Sequence, residues 1–142
     1  MSNKRTGLPP VSIRTITLTG RPPVSIKEED WKTIASASDK EFDNQYEFQA
    51  NRTSNWFVGV RQHVDGRTIV YATYRYSSNY QNSRSYSAKR GVLLEKPDED
   101  AICSAIEEVC RDMSGAECDG EDNARWSTLS DECIADMPAE QL

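Results

Sequence analysis

The chain has 142 residues and a net charge of −6. It contains no apolar run of bilayer length, so no membrane-spanning helix is expected, and it is long enough for one domain whose core needs no disulfide. Its charge is unmixed, at +5 over residues 1–27, −5 over 28–50, +6 over 51–97 and −12 over 98–142. That separation suits a molecule with two electrostatic faces and favours binding over chemistry, without naming the partner.

Residues 1–10 (MSNKRTGLPP) are polar and read as a flexible N-terminus. Their basic start has no apolar segment behind it, so no secretory signal is expected. A cytoplasmic location follows, with Cys103, Cys110, Cys118 and Cys133 as thiols. Pro9-Pro10-Val11-Ser12-Ile13 recurs as Pro22-Pro23-Val24-Ser25-Ile26, too short a period for a solenoid repeat. The β-branched run between the copies predicts a first strand ending at Gly20, and Pro22-Pro23 breaks it.

Ser25 and Glu28 match a capping box, and Trp31, Ile34 and Ala35 share a helical stripe, which predicts a helix over 26–37. The polar stretch 38–44 would end it, and the alternation of Tyr46, Phe48 and Ala50 predicts a second strand. The runs 56–63 and 67–76 flank Asp65-Gly66, a hairpin sequence. A two-residue loop there pairs Val60 with Tyr71 and Val58 with Thr73. It places Trp56, Val58, Val60, Ile69 and Tyr71 on a core face, and Phe57, Arg61, His63, Val70, Tyr74 and Tyr76 on the other.

Residues 77–91 read as a long exposed loop, followed by a short strand at Val92-Leu93-Leu94. Ile102, Ala105, Ile106, Val109, Cys110 and Met113 form an apolar stripe that predicts a helix over 98–113. A short helix around 128–136 would use Leu129, Cys133, Ile134 and Met137. These elements predict an α+β fold with a single, mostly antiparallel sheet and helices packed on one face. The domain would span 11–116, followed by an acidic segment, 117–142, whose short helix packs on it.

No constellation points to catalysis. Cys103 and Cys110 are seven residues apart on one helix, about 10 Å along its axis, too far for two ligands of one zinc. His63 beside the hairpin loop has no nucleophile placed next to it. The cluster Asp119, Glu121 and Asp122 lacks the calcium-loop spacing. No cofactor, metal or enzymatic activity is expected.

Tyr74, Arg75, Tyr76, Tyr80, Arg84, Tyr86, Lys89 and Arg90 combine stacking surfaces with cations, a set suited to nucleic acid or to a protein interface. Glu99, Asp100, Glu107, Glu108, Asp112, Glu117, Asp119, Glu121 and Asp122 form an acidic surface that could imitate a phosphate backbone. The lead expectation is a non-catalytic protein-binding accessory role, including inhibition of a host nucleic-acid-processing or defence complex. The alternative is direct binding of nucleic acid by the Tyr/Arg surface. Oligomeric state is not legible.

The stretch Trp56–Tyr76, with Val60-Arg61-Gln62-His63 and Asp65-Gly66-Arg67, resembles small uncharacterised proteins of bacterial phages and plasmids. The resemblance implies a bacterial cytoplasmic accessory protein and carries over no site residue.

Overall fold

The β-branched and aromatic runs on either side of Gly66 form the two central strands of a four-stranded antiparallel sheet. The computed structural model describes residues 13–45, 50–78, 85–116 and 122–138. A first hairpin pairs β1 (Ile13–Ile16) with β2 (Val24–Lys27). The main sheet is a meander of β3 (Trp31–Gln45), β4 (Ala50–His63), β5 (Thr68–Ser78) and β6 (Tyr86–Leu94). Two helices follow, α1 (Glu99–Ala116) and α2 (Asp122–Ala135). The fold is α+β with both helices on one face of the main sheet, and its strands fall into two sheets rather than one.

The central hairpin forms, but one residue out of the expected register. Val60 opposes Val70 and Val58 opposes Ala72. The loop is Val64–Gly66: the Gly66 amide donates to the His63 carbonyl at 2.9 Å, and the His63 amide donates to the Arg67 carbonyl at 2.8 Å. Gly66 follows this turn at φ 101°, the left-handed position that closes a three-residue hairpin. Because strand side chains alternate, a one-residue slip turns all of β5 over. Val70 and Ala72 therefore join Trp56, Val58 and Val60 in the helix-side core, while Ile69 and Tyr71 face the other way with Phe57.

The helix expected over 26–37 is absent. Residues 27–30 make a turn closed by the Asp30 amide donating to the Lys27 carbonyl, and β3 starts at Trp31. The stripe that imitated a helix is produced by a β-bulge. Pairing jumps from Thr33↔Arg61 to Ala35↔Val60, so Trp31 packs on one face while Ile34 and Ala35 both pack on the other. Residues 38–44 continue β3. Of the expected loop 77–91, residues 77–78 belong to β5 and 86–91 to β6, while 79–84 lie outside the described residues. Tyr46 and Phe48, read as strand residues, lie outside the described residues.

The apolar stripe of α1 is buried as its spacing predicts, over β5 and β6. Asp98 caps that helix, its Oδ1 accepting the Ala101 amide at 2.8 Å. Helix α2 begins earlier than expected and lies over β3 and β4. Its Trp126, Leu129 and Cys133 belong to the same core as the sheet. At about 1.5–3 kcal/mol for each large apolar side chain fully buried, α2 is an integral layer of the domain.

The β1–β2 hairpin covers part of the opposite face. Ile16, Leu18 and Ile26 pack on Trp31, Ile69 and Tyr71. The chain leaving β1 is tied to β6: the Thr19 amide donates to the Gly91 carbonyl at 2.8 Å, and the Gly91 amide donates to Thr19 Oγ1 at 3.2 Å. Gly91 permits this approach, since a Cβ there would stand 2.4 Å from the Thr17 carbonyl oxygen. No described helix is long and apolar enough to cross a membrane.

Candidate functional site

The Tyr/Arg set is divided by the pleat. Tyr74, Tyr76 and Tyr86 lie on the helix side, whereas Arg75 and Lys89 point to the hairpin side. Tyr74 is half-buried, with its ring 5.5 Å from that of Trp56 and 6.0 Å from that of Tyr86. Its hydroxyl lies 3.3 Å from Ser54 Oγ. The Arg125 guanidinium stacks 3.9 Å from the Trp56 ring centroid, pairs with Asp39 and donates to Glu41 Oε2 at 3.0 Å. This aromatic group joins α2 to the sheet, so Tyr74 is largely committed to structure. Arg90 lies beside Lys89, donating from Nη1 to its carbonyl at 2.7 Å. Tyr80 and Arg84 lie outside the described residues.

Beyond the hairpin, the described residues leave the opposite face of the sheet open. Three cross-strand rows build it: Ser38, Phe57, Thr73 and Lys89; Lys40, Asn55, Arg75 and Ser87; Phe42, Thr53 and Ser77. None of these side chains is a carboxylate. Lys40, Arg75 and Lys89 are exposed and have no ionic partner among the described residues. Phe42 is 59% exposed, and Phe57 is half-buried against Tyr71, ring centroids 5.5 Å apart. The surface thus combines uncompensated cations, small polar groups and accessible aromatic area.

On the hairpin side the Glu28 carboxylate is held by cations. Arg14 Nε donates to Glu28 Oε1 at 2.7 Å, and Arg61 Nη2 lies 3.9 Å from the same oxygen. The Arg14 hydrogen bond is the main cause that lowers the Glu28 pKa below its ordinary value. Arg61 also donates to the Tyr71 hydroxyl at 3.1 Å and to the Trp31 carbonyl at 3.3 Å. The capping-box glutamate of the sequence reading is therefore the bridge between hairpin and sheet.

The acidic surface occupies the other layer. Glu99, Asp100, Glu107, Glu108 and Asp112 are exposed on α1, joined by Asp131 and Glu132 on α2. Asp122 opens α2, and Glu117, Asp119 and Glu121 lie outside the described residues. The exposed helix carboxylates and the cations of the open sheet face thus lie on opposite sides of the main sheet.

The remaining reactive groups are quiet. His63 is half-buried, its ring 5.1 Å from that of Trp31, and its Nδ1 accepts the Asp65 amide at 3.1 Å. Burial pushes the thiols of Cys110 and Cys133 up to about 12, and also raises that of Cys103, so none is a ready nucleophile. Among the described residues, no three His, Cys, Asp or Glu side chains form a group that could hold a metal ion.

Sequence reasoning missed Lys40, Phe42 and Asn55. Lys40 and Phe42 alternate as strand residues do, but they follow a segment that the bulge makes look helical. No protein-family model matches the chain, and neither a curated protein nor a solved structure is significantly similar to it.

Proposed function

We propose that the protein binds single-stranded nucleic acid, without catalysis, across the open face of its main sheet. The observation that carries this reading is the placement of Lys40, Arg75 and Lys89 on a face whose described residues include no carboxylate, in a chain of net charge −6. An extended strand needs cations along its backbone and flat apolar surface under its bases. Lys40, Arg75 and Lys89 supply the first, and Phe42 with Phe57 the second. The helical carboxylates lie on the opposite layer, where they leave this face unopposed.

Fluorescence anisotropy with a labelled oligo-dT strand tests the proposal. The wild type should bind with a marked salt dependence. The triple substitution Lys40→Gln, Arg75→Gln, Lys89→Gln should weaken binding and reduce the log–log salt slope by about 2, at roughly 0.7 per phosphate contact. A folded triple variant that binds with unchanged slope would remove the face from the account.

A second reading follows the acidic layer. Exposed Glu107, Glu108, Asp112, Asp131 and Glu132 on adjoining helices offer a basic protein a surface resembling a nucleic-acid backbone. In that reading the chain is a bacterial accessory protein that inhibits a host nucleic-acid-processing or defence complex. It requires a protein partner retained after nuclease treatment and lost on neutralising these carboxylates.

A further inference from the structure

The open face ends at a wall. Where the β1 edge of the hairpin meets β5 and β6, a cleft of about 110 Å³ is lined by Arg14, Thr17, Tyr71, Thr73, Lys89 and Arg90, among others. Its volume lies below the roughly 300–1,000 Å³ of pockets that enclose drug-sized ligands, so it suits a group of only a few heavy atoms. Arg14 and Lys89 bring cations to it from two separate elements, whereas the side chain of Arg90, in register with Ala72, leaves β6 on the helix side. Only one nitrogen of Arg14 is drawn to Glu28 in a hydrogen bond, which fixes the guanidinium and leaves its other nitrogens for a ligand.

We infer that this cleft binds the terminal phosphate of a nucleic-acid strand lying on the open face. The inference rests on the strand-binding reading above and adds to it a strand end. The wall of β1 stops a chain crossing the rows of Lys40 and Lys89, and Arg14 and Lys89 lie at that stop. A terminal monoester carries more negative charge than an internal diester and has more free oxygens for the Arg14 guanidinium and the Lys89 ammonium.

The test compares oligo-dT strands bearing a 5′-phosphate, a 3′-phosphate or hydroxyls at both ends, and separately titrates inorganic phosphate against the isotope-labelled full chain. One terminally phosphorylated strand should bind about tenfold more tightly than the hydroxyl-ended strand, the scale of one strong charge-assisted contact. Arg14→Lys, which keeps a cation beside Glu28 but loses the guanidinium fork, should abolish that preference while retaining binding of the hydroxyl-ended strand, whereas Lys89→Gln should abolish it and weaken binding of all three strands. Both variants keep a cation beside Glu28, so the hairpin stays docked. Equal affinity for all three strands, with no phosphate-induced shifts at Arg14, Lys89 or Arg90, would overturn the inference while leaving strand binding intact. Shifts at these residues from inorganic phosphate, with no strand bound at low salt, would keep the cleft as a phosphate site and defeat both the strand reading and the strand-end assignment.

Discussion

Val60 lies directly across from Val70, with both side chains in the core beneath the helices. This pairing decides which side of β5 meets the helices and which meets the open face. Arg75 reaches the cationic face only because Val70, Ala72 and Tyr74 alternate inward. The three-residue loop ending at Gly66 sets that register.

Gly66→Val should therefore destabilise the protein by about 1–3 kcal/mol, since a β-branched residue is strained at positive φ. Chemical denaturation should show a lowered midpoint with an unchanged slope. An unchanged midpoint would count against the turn.

Gly91→Ala tests the docking of the first hairpin. The added methyl would meet the Thr17 carbonyl and must push the chain away from β6. Crowding of this kind costs about 1–3 kcal/mol. Trp31 packs under the hairpin, so its fluorescence should shift toward that of an exposed indole in the variant. A native-like spectrum and midpoint would mean the hairpin is held elsewhere.

Much of the helical layer and the outline of the central hairpin were legible. The buried stripe Ile102–Met113 has the helical period and no competitor, and Gly66 marks the turn. Register was less legible, because Asp65-Gly66 fits both a two-residue loop and the end of a three-residue loop. The bulge at Ile34 was hidden outright, since it spaces buried residues as a helix does while sending Trp31 and Ala35 to opposite faces. Lys40 and Phe42 were lost to the site for that reason. Lys89 and Arg75 were found from composition, but their separation from Tyr74 depends on strand pleating within the correct register.

Trp126→Ala should cost about 3–5 kcal/mol, because the indole is buried in the core shared by α2 and the sheet. Truncation after residue 121 should likewise yield a chain without cooperative unfolding. A folded truncated protein, shown by sharp dispersed NMR signals, would make the acidic segment a separable appendage.

Glu28 predicts an acid-side response. Its pKa is lowered in the folded state, so its contribution is fully present above its ordinary value of 4.5 and is lost as pH falls through the lowered one. Denaturation midpoints of wild type and Glu28→Gln, measured between pH 6 and 3, should converge as the solution is acidified. A constant gap across that range would show that Glu28 does not titrate against Arg14.

On the proposed function, the open face of the sheet, and no other, receives a nucleic-acid strand. Amide chemical-shift mapping tests it most directly, with oligo-dT titrated into the isotope-labelled full chain at low salt. Saturable shifts are expected at Lys40, Phe42, Asn55, Arg75 and Lys89, with Glu107, Glu108 and Asp131 unmoved. No shifts, or shifts confined to the helices, would contradict it.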